Sequence, residues 1–262
     1  MITLASDFGS PYPAAMRGVL LAESSARLVD VAHDFPRQDC RAGAFWLREV
    51  LPYFPPAVHL VVIDPGVGTD RQVLVVEAGD HRLVGPDNGV LVPVAEELDP
   101  DPTYYVTSPE DPASSTFHGR DVFAPLAAEI HEAGLETVVA ADRFTATTDV
   151  ARIDFPEPTV EGREAIGEVL VVDGFGNVIT NVPGSFLDGV AGGDLLVDGL
   201  ATPVGQSYAA VPPGQRLVTV GSHGNVELAV NQGRGESAFG LTPGDTVYLA
   251  PAAGTPTDST DR

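Results

Sequence analysis

Lysine is absent from all 262 residues. That removes whole classes of chemistry. A phosphate-binding P-loop, the ATP anchor of a protein kinase and the Schiff base of a pyridoxal enzyme each require a lysine. Asp7-Phe8-Gly9 is therefore not a kinase metal triplet, and it lies at the wrong end of the chain for one. Cysteine is nearly absent too. Cys40 stands alone, so there is neither a disulfide framework nor a cysteine-based zinc site, and it reads as a small buried residue of a helix. No apolar run is long enough to span a bilayer, and the chain opens on a strand pattern without a leader-like stretch, so a cytoplasmic protein is expected.

Positive charge is scarce as well. The 14 basic residues are all arginine and face 37 acidic ones, for a net charge of −23. Such a surface repels nucleic acid and anionic membranes, and neither is expected as a partner. A carboxylate-rich, lysine-free surface suits a halophilic-type protein kept soluble where charges are heavily screened. A surface built for a cationic substrate is the other reading.

What is present is 44% hydrophobic, enough for one large domain or two smaller ones. Residues 1–152 read as an α/β domain, layered over a mostly parallel sheet. Strands are expected at 2–4, 28–32, 58–63, 73–77 and 82–84, and helices at 13–26, 41–51 and 120–133. The 58–63 run is almost continuously apolar, as in a buried parallel strand. A Pro-rich linker covers 153–162. Residues 163–251 carry short β-rich runs punctuated by Gly and Pro, which predicts a smaller all-β, barrel-like domain. The tail, 252–262, is expected to be disordered.

Several turns carry chemistry. Asp7 directly follows the first strand, where open α/β sheets bind ligands. Its carboxylate suits the vicinal hydroxyls of a ribose, or else caps its own loop. Asp64 and Arg71 share the Gly-rich loop Asp64-Pro65-Gly66-Val67-Gly68-Thr69-Asp70-Arg71, as a functional pair or as an ion pair locking the turn. Gly85-Pro86-Asp87-Asn88-Gly89 reads as a tight turn. His118 precedes a helix in Phe117-His118-Gly119-Arg120-Asp121. A metal held by Asp7, Asp64, His118 and Asp121 lacks any paired-histidine spacing, so no metal is expected. In Asp173-Gly174-Phe175-Gly176-Asn177, Asp173 can hold an ammonium, Phe175 can stack on a base, and Asn177 can bind an amide or carboxylate. The alternative is a β-turn with one core Phe. Ser222 and Asn231 flank a strand containing Glu227, and an Asn side chain matches an adenine edge.

Taken in order, Ser6-Asp7-Phe8-Gly9, Asp64-Pro65-Gly66-Val67-Gly68-Thr69, Gly85-Pro86-Asp87-Asn88-Gly89, Phe117-His118-Gly119-Arg120-Asp121, Asp173-Gly174-Phe175-Gly176-Asn177 and Glu227-Leu228-Ala229-Val230-Asn231 resemble the S-adenosyl-L-methionine (SAM) hydroxide adenosyltransferase family. These are the SAM hydrolases related to the fluorinase and chlorinase. The resemblance implies an N-terminal α/β domain and a C-terminal β-barrel. It implies a homotrimer with SAM bound between subunits, and hydrolysis of SAM to adenosine and methionine with no cofactor. It assigns water handling to Asp64, Arg71 and His118, ribose binding to Asp7, the methionine end to Asp173 and Asn177, and the adenine side to Ser222 and Asn231. Halogenating relatives lack the Asp and His of that triad and carry an extra loop. A SAM-dependent, chlorinase-like halogenase and a non-catalytic SAM- or adenosine-binding protein are the alternatives.

Overall fold

The computed structural model describes residues 1–109, 113–190 and 193–252. The chain divides into two compact units, Met1–Asp154 and Phe155–Arg262. Of the tail expected to be disordered, Ala252 donates its N–H to Asp194 O at 3.0 Å; residues 253–262 lie outside the described residues.

In the first unit the elements run β1 (Ile2–Ser6), α1 (Tyr12–Glu23), β2 (Leu28–Ala32), α2 (Cys40–Val50), β3 (Val58–Val62), β4 (Val73–Ala78), β5 (His81–Pro86), α3 (Val92–Leu98), β6 (Thr103–Thr107), α4 (Ala124–Ala133), α5 (Leu135–Val139) and β7 (Thr145–Thr147). One seven-stranded sheet holds the order β2-β1-β3-β5-β4-β6-β7. Its β2-β1-β3-β5 half is parallel, and the β5-β4-β6-β7 half is antiparallel. The expected mostly parallel sheet is thus corrected to a mixed one. The cause is local: only Gly79 and Asp80 separate β4 from β5. A two-residue connection forms a hairpin, whereas a parallel neighbour requires a long crossover.

Strand alternation sends Ile2 and Leu4 of β1 and Leu60 and Val62 of β3 into one cluster with Met16 and Leu20 of α1 and Leu126 and Ile130 of α4. Burying each such side chain contributes about 1.5–3 kcal/mol. The opposite face carries Thr3 and His59. Thr3 Oγ1 lies 2.7 Å from His59 Nδ1, and His59 Nε2 lies 2.9 Å from His81 Nδ1 with the two rings stacked. Helix α2 is capped by Asp39, whose side chain accepts from Ala42 N at 2.9 Å. The expected helix at 120–133 enters through a π-helical turn, Gly119–Phe123. Such turns recur at functional sites.

The second unit consists of β8 (Thr159–Glu161), β9 (Glu164–Val172), β10 (Val178–Pro183), β11 (Asp194–Val197), β12 (Leu200–Pro203), β13 (Arg216–Val220), β14 (Asn225–Val230), α6 (Gly235–Phe239) and β15 (Thr246–Pro251). Among the described residues its named strands pair antiparallel, in the order β12-β11-β15-β9-β10-β14-β13, with β8 beside β9. Gly205 N donates to Val218 O at 3.0 Å, and a single Val204–Val218 bridge ties the β12 end to β13, so the barrel is nearly closed. Val169, Val178, Val218, Leu228, Val247 and Leu249 fill it. Among the described residues, no helix is long and apolar enough to cross a membrane.

His59 makes the first unit acid-sensitive. Burial, with His81 as neighbour, holds its pKa down to about 3. An unfolded-state histidine titrates near 6.5, so its contribution is complete above about pH 6.5 and is lost as pH falls toward 3, at about 1.4 kcal/mol per pH unit. Urea unfolding at about pH 6.5 and about pH 5 should therefore show a larger loss of stability for wild type than for His59→Gln. Equal losses would contradict this.

Candidate active site

The carboxyl ends of β1 and β3 lie side by side, with Ser6 paired to Val62. Asp7, directly after β1, and Asp64, two residues past the end of β3, therefore emerge at one end of the sheet. Asp7 is 8% exposed and takes the Gln38 N–H on Oδ2 at 2.7 Å. The Asp64 side chain is 5% exposed, and its Oδ1 accepts from Gly66 N at 3.0 Å. Arg71 folds back over the loop, with Nη1 3.5 Å from the same oxygen. Nη1 is buried and has no hydrogen-bond partner, so a donor is held ready at the carboxylate.

Glycine makes that loop possible at two points. A Cβ on Gly66 would stand 2.2 Å from Arg71 Nη2, so only glycine lets the guanidinium lie across the turn. Gly68 has φ +83°, and a Cβ there would stand 2.5 Å from Ser115 O. The loop base is pinned from beneath. Asn88 Nδ2 donates to Ile63 O at 2.8 Å, and the Cys40 thiol points at the same carbonyl at 3.9 Å. The turn at 85–89 is thus a buttress for the Asp64 loop.

His118 is buried at the mouth of the π-helical turn. A Cβ on the next residue, Gly119, would meet Met16 Sδ, Phe8 and Val62, so the turn presses against the ends of β1 and β3. Electrostatics register the same grouping. Burial raises the pKa of Asp64, Asp7 raises it further, and Arg71, the Gly66 N–H and His118 oppose the rise. The arrangement is a carboxylate of increased basicity with the Arg71 cation beside it and His118 within electrostatic reach. It can orient a water molecule and accept its proton. Cys40 belongs to this neighbourhood. Its thiol is pushed up to about 11, first by burial and then by Asp64, Asp39 and Asp7, against Arg71. Half-buried and un-ionised, it is inert packing beside the acid. Asp121 is engaged elsewhere, in a two-point pair with Arg120. Among the described residues, no group of three or more His, Cys, Asp or Glu is placed to hold a metal.

In the second unit a polar chain runs over the outside of the barrel. Asp173 Oδ1 accepts from Phe175 N at 2.9 Å and Asn177 N at 2.8 Å, and Asn177 Nδ2 reaches Asp173 Oδ2 at 3.0 Å. Asn177 Nδ2 also lies 3.3 Å from the Tyr208 hydroxyl, which donates to Glu227 Oε1 at 2.7 Å. Glu227 is 3% exposed, and its Oε2 lies 3.5 Å from His223 Nε2. Burial and the bond to Glu227 raise the pKa of Tyr208. Asp173 thus shapes its own turn, and Phe175 stands out from the tip at 81% exposure. Asp173, Asn177 and Glu227 are brought together. Ser222 and Asn231 are not, because they lie at opposite ends of β14. Ser222 is exposed in the hairpin before it, and Asn231 follows it with Nδ2 on Val211 O at 2.7 Å. Tyr208 and His223 were missed from sequence: Tyr208 sits in an irregular stretch with no periodic signal, and His223 is next to Ser222 without any motif of its own.

Residues 2–139 match the SAM hydroxide adenosyltransferase N-terminal domain, and residues 167–248 match the C-terminal domain of the same name. The chain belongs to the SAM hydroxide adenosyltransferase family. It is 39% identical over 255 residues to a protein of Salinispora tropica named (R)-S-adenosyl-L-methionine hydrolase, covering 95% of this chain and 97% of that one. A Thermus thermophilus protein of the same name is 40% identical over 259 residues, covering 93% and 97%. The crystal structure of an uncharacterized conserved protein from Thermotoga maritima is similar at a TM-score of 0.79, with 32% identity over 95% of this chain and 100% of that one.

The loop geometry predicts unequal glycine substitutions. Gly134 has φ +81°, and a methyl added there would meet nothing within 4 Å, whereas Gly68 combines φ +83° with the Ser115 carbonyl. Gly134→Ala should cost about 1–3 kcal/mol from backbone strain alone, and Gly68→Ala should add to its strain the clash with the Ser115 carbonyl. Urea midpoints test this, and equal costs would contradict the packing described.

Proposed function

We propose that this protein hydrolyses SAM to adenosine and L-methionine. The carrying observation is the buried Asp64 carboxylate, ion-paired with an Arg71 Nη1 that makes no hydrogen bond and within electrostatic reach of His118, in a chain of this family. Water oxygen forms a bond to the ribose C5′ as the C5′–sulfur bond breaks. The bonding pair leaves on sulfur as the neutral thioether of methionine, and the water proton passes to the protein and then to solvent. A sulfonium leaves readily, so no general acid is needed. The difficulty is the nucleophile, because bulk water has a pKa of about 15.7. Asp64 and His118 orient the water and accept its proton, while Arg71 steadies Asp64 and the developing hydroxide. Holding water in line with C5′ supplies much of the rate through proximity. No cofactor takes part.

Asp7 binds the ribose diol. The Asp173, Asn177 and Glu227 chain, with Phe175 at its tip, receives another part of SAM, and Ser222 and Asn231 make separate contacts. The names of the relatives point to the R sulfonium epimer as substrate. The active form is a cytoplasmic homotrimer, in which the groups from Asp7 to His118 on one subunit serve the same SAM as those from Asp173 to Asn231 on a neighbour. The acidic surface is a salt adaptation, and salt favours assembly by screening repulsion between chains of charge −23.

Purified protein should release adenosine and methionine from (R)-SAM in the presence of chelator, and more slowly from the S epimer. Loss of turnover with chelator, restored by a divalent ion, would contradict the metal-free mechanism. Chloride-dependent 5′-chloro-5′-deoxyadenosine would favour the halogenase reading, and stoichiometric binding without methionine release would favour a binding protein. The shared site has its own test. Inactive Asp64→Ala and inactive Asn177→Ala subunits, allowed to exchange, should recover partial activity, because some sites then carry two intact halves. Confirmed mixed trimers without activity, or a monomeric protein, would rule it out.

A further inference from the structure

The connector between β2 and α2 grips the end of β1 at three closely spaced residues. Ser6 Oγ lies 2.8 Å from His33 Nδ1, Gln38 N donates to Asp7 Oδ2 at 2.7 Å, and Gly9 N donates to His33 O at 2.7 Å. Asp7 is thereby bracketed by two contacts to the same histidine. His33 is itself fixed from behind. Its Nε2 lies 3.1 Å from Asp30 Oδ1, and Arg17 holds Asp30 through Nε at 2.9 Å. A carboxylate only accepts, so Nε2 carries the hydrogen. In the neutral ring Nδ1 is then the acceptor, and the Ser6 hydroxyl donates to it. Burial, helped by Arg17 and opposed by Asp34, lowers the pKa of His33 and favours that neutral form.

Two further features show that this grip is built rather than incidental. Ser6 is 0% exposed, so its hydroxyl requires a partner inside the protein. Gln38 sits at φ +61°, a left-handed conformation unfavourable for a non-glycine residue, and that backbone aims its N–H at Asp7. Such strain persists where the surroundings over-determine it. Neither His33 nor Ser6 is one of the groups assigned to water or substrate.

We propose that His33 is a positioning residue, which acts through Ser6 and Gly9 to hold the Asp7 carboxylate at the orientation a vicinal diol requires. This rests on the reading of Asp7 as the ribose ligand. A diol engages a carboxylate at two points, so a small rotation of Asp7 spoils recognition of the diol while contacts to the rest of the nucleoside persist.

Calorimetric titration of adenosine and 2′,3′-dideoxyadenosine into wild type, His33→Leu, His33→Asn, Ser6→Ala and Asp7→Ala tests the proposal, together with steady-state kinetics on SAM. His33→Leu should weaken adenosine about threefold to tenfold, the scale of one net hydrogen bond, and leave dideoxyadenosine within about twofold. It should raise KM with kcat retained. His33→Asn, which keeps an acceptor toward Ser6, should recover most of the loss. Equal losses for the two nucleosides, or no recovery in His33→Asn, would overturn the proposal. Should His33→Leu fail to fold, Ser6→Ala removes the same contact from the other end. A folded Ser6→Ala protein with unchanged adenosine affinity overturns the proposal equally. A wild type that binds both nucleosides alike, or an Asp7→Ala protein that loses both equally, overturns the reading of Asp7 and this proposal with it. A diol-selective wild type matched by an unchanged His33→Leu protein overturns the proposal alone.

Discussion

The Asp64 carboxylate at the end of β3 is buried to 5% exposure, and the first unit is arranged around keeping it there. A carboxylate taken out of water is costly unless charges and hydrogen bonds replace the lost solvation. The Gly66 N–H and the Arg71 guanidinium supply part of that replacement. Both depend on glycines, and both depend on a loop base that Asn88 holds through Ile63 O. Compensation is incomplete, since burial still raises the pKa of Asp64. The raised pKa makes the carboxylate a better proton acceptor, as the proposed role of Asp64 in water handling requires.

The same constraint recurs in the second unit in a quieter form. Glu227 is buried on the outside of the barrel, where Tyr208 donates to it and His223 stands nearby. Tyr208 in turn lies against the Asn177 amide, whose other contact is Asp173. A chain with a carboxylate at each end leaves little freedom to the amide between them. Nδ2 must be the group that faces the two oxygens, because only the amide nitrogen donates. Each unit therefore uses a buried acid to fix the side chains around it.

Much of this was legible in the residue order. The apolar run into Asp64, the short first strand before Asp7 and the helix after His118 put three of the four first-unit groups at the ends of regular elements before any geometry was known. The β-rich second half read correctly as barrel-like, because short strands punctuated by Gly and Pro are what a small barrel is built from. The mostly parallel sheet became a mixed one, since the two residues Gly79 and Asp80 turn β4 and β5 into a hairpin, a local signal that the strand reading passed over. Cys40 read as ordinary helix packing, and its nearness to Asp64 arises only from how α2 meets β3. Asn88 read as a plain turn residue, and the turn's value as a buttress depends on a carbonyl 25 positions away in the chain. Tyr208 gave no signal because its partners come from two other segments of the barrel. Ser222 and Asn231 flank one strand in sequence, and for that very reason the extended strand holds them apart.

Delivery of water to the ribose C5′ by the Asp64, Arg71 and His118 group is the central claim, and the fate of the water oxygen tests it most directly. Turnover of SAM in water enriched in oxygen-18 should place the label in the 5′-hydroxyl of adenosine, with inversion at a C5′ made chiral by deuterium, and Asp64→Asn should abolish that labelling while adenosine still binds. Label in the methionine-derived product, retention at C5′, or undiminished labelling in Asp64→Asn would contradict the account.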